Sequence, residues 1–386
     1  MTVGGERAPG ARGAPDGGGL AGAGGGPGGG GVPGAGRADG SVGGTGAGWA
    51  GTTVSVGGTG AGGAGRSRVL VLRALGLGDL LAGVPALRGL RRGFPGWEIV
   101  LAGPEALAGP VAASGAVDRL LPASAPGRAV PTRLDWTGPP PELAVDLHGS
   151  GPSSHLLLAR LRPRRLWAFA HPGTPGITGP VWRDGEHERE RWCRLLGFHG
   201  VAADPGDLRL APPPGPSPAP GAVVLHPGAD AGSRRWPAQR YAAVAGELLR
   251  RGHRVALTGG PGEDGLLARV VSALPPGPRP LVYAGGLPYP ELAALFAGAA
   301  AVVSGDTGIA HLAVAHGTPS VTLFGPVSPR RWGPPPGTRH IALWRPGPAG
   351  EPPGDPHGQE PDPRLLRLHP EDVLKALDEH PEVARP

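Results

Sequence analysis

AVVSGDTGIAHLAVAHG, residues 301–317, carries three structural signals in succession. Ala301, Val302 and Val303 form an apolar run of the kind that fills a parallel sheet. Ser304-Gly305-Asp306-Thr307-Gly308 is a tight turn, and the pattern after it is helical up to Gly317, a typical stop. A strand, a glycine turn and a helix start leave several amides pointing outward without partners. The positive end of the helix dipole faces the same way, so the mouth of this turn is an anion site. Asp306, Thr307 and His311 stand at that mouth, and Gly305 and Gly308 permit close backbone approach. Each side chain alone has a plainer reading: Asp306 or Thr307 as a helix N-cap, His311 as a satisfied core histidine. Their joint placement favours a phosphate-bearing ligand. His316, in the last turn before Gly317, reads as a histidine whose charge complements the helix C-terminus.

Working outward, the same alternation repeats. Toward the N-terminus lie the strands Ala222-Val223-Val224-Leu225, Arg254-Val255-Ala256-Leu257 and Leu281-Val282-Tyr283, separated by helical patterns at 238–251, 263–273 and 289–298. Beyond the opening stretch come a strand at 320–324, a proline-rich connector at 344–363 and an amphipathic helix starting at Pro370, a favoured first-turn position. Prolines cluster between Pro212 and Pro220, which marks a linker over 206–221. Before it a second series runs: the strand Val69-Leu70-Val71-Leu72, a helix through Leu80, Leu81, Val84, Leu87 and Leu90, and strands at 98–101 and 142–147. A helix over 186–198 follows, with Trp192, Leu195 and Leu196 on one face. Short apolar strands alternating with helices predict an α/β chain of two Rossmann-like halves, over 66–205 and 222–343, facing each other across a cleft. Residues 344–386 are set apart as the proline-rich connector and the C-terminal helix.

Residues 1–65 are different. They contain 29 glycines, and the octapeptide SVGGTGAG occurs twice, at 41–48 and 55–62. Such a segment cannot bury enough apolar surface to offset its ordering entropy, and is expected to be disordered.

Composition narrows the chemistry. The 386 residues carry a net charge of +6, with Lys375 the only lysine, which favours acidic ligands without identifying one. There is no aromatic-basic interleaving, zinc-finger spacing or recognition-helix pattern, so nucleic acid is not expected as a partner. Cys193, the single cysteine, allows no disulfide framework and reads as a packed thiol on a helix face. No apolar stretch reaches the roughly 18 residues of a membrane span, and no signal-peptide core opens the chain, so the expected location is cytoplasmic, with peripheral contact at the inner membrane surface. A Walker loop requires Gly-Lys-Ser/Thr, which is missing. GLGDLL has Leu81 where a dinucleotide fingerprint needs its third glycine. No two aspartates are separated by one residue, and there is no Gly-x-Ser-x-Gly elbow.

One acidic residue at a strand–helix turn in each half remains. Asp79 follows the first strand behind Gly76 and Gly78; it reads either as a helix cap or as a general base at the carboxyl edge of the sheet, where ligands bind. In HPGADAGSRRWP, residues 226–237, Arg234 and Arg235 stand beside a helix start and can neutralise a diphosphate. Arg235, next to Trp236-Pro237, is the stronger candidate, while Arg234 reads equally as a solvated turn residue. Glu263 in GGPGE accepts hydrogen bonds from a ribose or complements a helix dipole. Arg160, Arg162, Arg164 and Arg165 read first as a solvated run and second as contacts to an anionic acceptor.

These motifs together resemble the heptosyltransferase family, glycosyltransferase family 9, over residues 68 to about 380. The matching pieces are VLRALGLGDLL with Pro85-Ala86-Leu87, VDLHGS at 145–150, HPGADAGSRRWP, GGPGE and SGDTGIAHLAVAHGTPSVTLFGP at 304–326. The resemblance implies a GT-B fold and inverting, metal-independent transfer without a cofactor. It places a nucleoside-diphosphate sugar, an ADP-sugar first, in the C-terminal half, and a glycan or glycolipid acceptor of the cell envelope in the N-terminal half. Carried over by position, Asp79 is the catalytic base, and Ser233, Arg235, Glu263, Gly305, Asp306, Thr307, Gly308 and His311 bind the donor. Arg73, Gly78 and His148 are assigned to the acceptor. Two rival functions stay open: a nucleotide-sugar epimerase of the GT-B type and a non-catalytic nucleotide-sugar-binding protein.

Overall fold

The computed structural model describes residues 66–348 and 350–383, so the expectation of disorder for 1–65 lies outside the described residues. In the N-terminal half, β1 (Arg68–Leu72), β2 (Glu98–Gly103), β3 (Arg119–Pro122), β4 (Leu143–Asp146) and β5 (Arg165–Trp167) form one parallel sheet in the order β3-β2-β1-β4-β5. Helices α1 (Leu77–Gly93), α2 (Ala108–Ala113), α3 (Ser153–Ala159) and α4 (Glu188–Phe198) connect and cover it. In the C-terminal half, β6 (Val223–His226), β7 (Val255–Thr258), β8 (Leu281–Tyr283), β9 (Ala301–Gly305), β10 (Ser320–Leu323) and β11 (His340–Leu343) pair in the order β11-β10-β9-β6-β7-β8, again parallel. Its helices are α5 (Ala238–Arg250), α6 (Asp264–Ser272), α7 (Tyr289–Ala297), α8 (Gly308–His316), α9 (Pro329–Trp332), α10 (Pro363–Leu366) and α11 (Pro370–Asp378).

The central strands are predominantly apolar because helices cover both faces: β1 from Val69 to Leu72, all of β6 and all of β9 are buried. Both sheets reverse direction of winding beside their first strand, between β1 and β4 and between β6 and β9. Such switch points open crevices at the carboxyl ends of the strands. The last helix, α11, packs Val373, Ala376 and Leu377 into the core built on β6, β9 and α5.

A third apolar cluster joins the halves. Leu81 and Val84 of α1 are buried in it together with Ile309, Leu312 and Ala313 of α8. The shape of the contact depends on glycine. A Cβ at Gly308 would lie 2.9 Å from the Leu77 Cβ and 3.0 Å from the Gly78 nitrogen, distances that would push the helices apart. The two helix N-termini therefore meet backbone to backbone.

Several short elements escaped the sequence reading. β3 (RLLP) and β5 (RLW) are edge strands of four and three residues, too short and too polar to carry a period. Gly317 terminates α8 in the left-handed region, φ 66°, as expected. The expected role of His316 is corrected: burial, assisted by Arg209, lowers its pKa to about 4, so at neutral pH it brings no charge to the helix end. Cys193 is buried and its thiol is pushed up to about 12, as fits a packed side chain. Arg160, Arg162, Arg164 and Arg165 are all exposed. Among the described residues no helix is long and apolar enough to cross a membrane.

Candidate active site

A cleft of about 700 Å³ lies between the halves, lined from one side by Gly76, Gly78, Asp79 and Arg128 and from the other by His226, Asp230, Arg234, Glu263 and the 306–311 turn. This is the size range of small-molecule sites.

Asp79 stands in the first turn of α1. Its Oδ2 accepts from the Gly76 amide at 3.2 Å, the reach-back of a capping box. The same carboxylate is 3.6 Å from Arg128 and 4.0 Å from Arg73, and its side chain keeps 14% exposure on the cleft. One side chain therefore both makes the cap and stands on the cleft. Gly78 lies against the opposite half, where a Cβ would come 3.0 Å from the His311 ring.

Across the gap, Thr307 occupies the N-cap position of α8 in extended conformation, but its side chain makes no capping bond. Its Oγ1 is buried without a partner. The first-turn amides of α8 thus lack a side-chain cap while the helix end opens on the cleft. Asp306 is buried, and its carboxyl is raised to about 6, chiefly by desolvation, with Arg234 opposing and Asp79 reinforcing the shift. Burial likewise lowers His311 to about 4, so it is a neutral imidazole at pH 7, with its ring edge-on to Trp332 at 5.9 Å. Gly305 ends β9 against the Arg234 carbonyl, which a Cβ would approach to 2.7 Å.

The raised Asp306 value gives a stability prediction. A carboxyl whose folded pKa lies above its unfolded one contributes fully below pH 3.8 and loses that contribution as pH rises through about 6. Across that window the loss is about 3 kcal/mol at 1.36 kcal/mol per pH unit. Asp306→Asn is therefore expected to gain melting temperature relative to the parent at pH 8 but much less at pH 4.5. An equal difference at both pH values would show that burial does not strain this carboxyl.

The two arginines of the 226–237 motif part company. The turn Gly232–Arg234 directs Arg234 into the cleft, where its guanidinium donates to the Asp306 carbonyl at 3.2 Å and lies 3.9 Å from the Asp306 carboxylate. Arg235 is absent from the cleft lining; its Nε donates to the Ala229 carbonyl at 2.8 Å, and it reaches Glu263 only at 3.9 Å. Of the two, Arg234 and not Arg235, the one the sequence favours, lines the cleft. Ser233 is buried behind the turn and also does not face the cleft. Glu263 does: it caps the Gly260 amide at 2.7 Å and stands 3.9 Å from His226. His226 is held neutral by burial, its pKa lowered to about 4, with Nδ1 3.0 Å from the Thr258 hydroxyl.

Two residues assigned to the acceptor, Arg73 and His148, are buried. The Arg73 side chain has no exposed surface, and its guanidinium is taken up by the Asp79 and Leu147 carbonyls and by Glu188. His148 accepts from the Ala74 amide through Nδ1 at 3.2 Å, and burial lowers its pKa to about 4. Neither lines the cleft. The sequence reading missed Arg128, which pairs with Asp79 and, across the cleft, with Asp230. It also missed Trp332. Arg128 adopts φ 60° in a loop after β3 that carries no motif; only the charge itself was visible.

Residues 213–349 match glycosyltransferase family 9 (heptosyltransferase). The chain is 37% identical over 107 residues to lipooligosaccharide heptosyltransferase 2 of Haemophilus influenzae, a stretch that covers 27% of this chain and 31% of that protein. It is 27% identical over 292 residues to lipopolysaccharide heptosyltransferase 1 of Salmonella typhimurium, covering 68% of this chain and 89% of the relative. The solved E. coli ADP-heptose lps heptosyltransferase II superposes with a TM-score of 0.65 at 18% identity, over 82% of this chain and 99% of the other, which establishes the shared GT-B fold. The motif-bearing C-terminal half, the long match to the Salmonella relative and the common fold make this chain similar to glycosyltransferase family 9, the heptosyltransferase family.

Proposed function

We propose that the chain is an inverting glycosyltransferase that moves a heptose or similar sugar from a nucleoside diphosphate to a hydroxyl of a cell-envelope glycolipid. The observation that carries this reading is the opposition, in one cleft, of the Asp79 carboxylate and the uncapped N-terminus of α8. Asp79 takes the proton of the acceptor hydroxyl as that oxygen attacks the anomeric carbon. The departing diphosphate gathers charge beside the α8 amides, the helix dipole and Arg234, groups fixed in place before the reaction and suited to act without a metal ion. Neutral His311 donates or accepts a hydrogen bond there but supplies no charge. Glu263, at the far wall beside His226, is our candidate for the ribose. The Salmonella and Haemophilus relatives are named as heptosyltransferases, and the E. coli neighbour is named for ADP-heptose, which makes an ADP-heptose the first donor to try. We place the reaction at the cytoplasmic face of the inner membrane.

The test has two steps. Nucleoside-diphosphate sugars are screened by thermal shift, since a ligand bound only by the folded chain raises its melting temperature by mass action. The stabilising sugar is then incubated with and without a lipid-linked glycan acceptor. Transfer with inverted anomeric configuration is expected only with acceptor. An epimer formed from donor alone, or binding with no turnover, would replace the reading with one of its two rivals.

A further inference from the structure

Arg73 leaves the end of β1 and turns inward, where its side chain holds three elements together. Nε donates to the backbone carbonyl of Asp79, one terminal nitrogen donates to the Leu147 carbonyl beyond β4, and the other meets Glu188 Oε1 at 3.3 Å. The guanidinium lies 4.9 Å over the Trp192 ring. Helix α1 is shaped to let it pass, since a Cβ at Gly83 would come 3.0 Å from the Arg73 side chain. Glu188 is itself fixed: Oε1 accepts from Trp192 Nε1 at 2.9 Å, and Oε2 pairs with Arg191.

The first turn of α4 is also tied to the opposite half. His187 Nδ1 accepts from the Arg189 amide, so Nε2 carries the proton and donates to the Gly333 carbonyl at 3.0 Å. Arg189 donates to the same carbonyl at 3.3 Å. Gly333 follows Trp332, whose ring meets His311 in the cleft.

Burying a carboxylate and a guanidinium contributes little stability that well-packed apolar residues would not match. What the pair adds is geometry. We propose that Glu188 is a positioning residue for Asp79, acting through Arg73, and that His187 and Arg189 fix its turn to the donor half. The inference rests on the reading of Asp79 as the base.

A double-mutant cycle in the full chain tests it. Glu188→Gln is expected to lower kcat ~10- to 100-fold, the effect of a misplaced catalytic group. Nucleoside-diphosphate binding should stay within about twofold, at one site per chain. Placed in Asp79→Asn, the same substitution should change the residual kcat by less than about twofold, because the group it positions no longer acts. Glu188→Asp, which keeps the charge on a shorter arm, should recover part of the loss, and serves in the cycle if the Gln variant does not fold. His187→Ala should lower kcat non-additively with Glu188→Gln. Full activity in Glu188→Gln, or equal losses in both Asp79 backgrounds, would overturn the proposal. Full additivity of His187→Ala would detach the tie to the donor half. Failure of the underlying reading looks different: Asp79→Asn itself would retain the parent kcat.

Discussion

Asp79→Asn is expected to lower kcat ~10²- to 10⁴-fold, the range of a lost general base, while leaving the nucleoside-diphosphate dissociation constant close to that of the parent. The substitution is chosen because it preserves shape. The side-chain oxygen of Asn can still accept from the Gly76 amide, so the start of α1 and its packing on α8 survive. What disappears is the proton-accepting carboxylate and its charge beside Arg128 and Arg73. Asp79→Ala removes the reach-back bond as well, and should lose about 1 kcal/mol of stability in addition. Steady-state rates on a saturating donor, paired with calorimetric titration of the free nucleoside diphosphate, separate the possibilities. Near-parent kcat removes Asp79 from the chemistry. Equal losses of kcat and of diphosphate binding would mean that Asp79 holds the cleft together through Arg128 rather than acting on substrate.

How far the sequence could be read follows from what each residue depends on. The buried strands β1, β6 and β9 and the helices α1, α5 and α8 were visible because covering both faces of a parallel sheet demands continuous apolar runs, and helical faces demand their own period. The position of Asp79 and of the 304–308 turn at the carboxyl edges of two sheets followed from that pattern alone. Side-chain direction did not. Arg73 stands only six residues before Asp79 and in the same motif, yet its side chain turns into the interior because β1 ends there and Glu188, 115 residues later, receives it. His148 is similar: the resemblance assigns it to the acceptor, but the Ala74 amide occupies its Nδ1. Arg128 reaches the cleft from a loop after β3 and meets Asp79 and Asp230 there, partners that no local period encodes. Neighbouring side chains in a turn diverge by a dihedral angle, and a motif does not state that angle.

That divergence makes Arg234 and Arg235 the sharpest comparison in the C-terminal half. Arg234→Ala is expected to raise the dissociation constant for a nucleoside diphosphate ~10- to 100-fold, the equivalent of a lost charge-assisted hydrogen bond. Arg235→Ala should raise it only a few-fold. Arg234 ends the Gly232–Arg234 turn with its guanidinium on the cleft and 3.2 Å from the Asp306 carbonyl, so it stands beside the start of α8, where the diphosphate charge is expected. Arg235 continues in extended conformation, φ −90° and ψ 109°, which sends its side chain the other way, to the Ala229 carbonyl. Its charge still acts at longer range, and salt weakens such an effect within a Debye length of about 8 Å at physiological ionic strength. Titrations of both variants at low and high salt distinguish contact from field. The Arg234 loss should persist at high salt, whereas the smaller Arg235 loss should shrink. If Arg235→Ala proves the more damaging at both salt concentrations, the diphosphate lies on the Ala229 side of the turn, and the cleft wall formed by Arg234 and Asp306 serves another part of the donor.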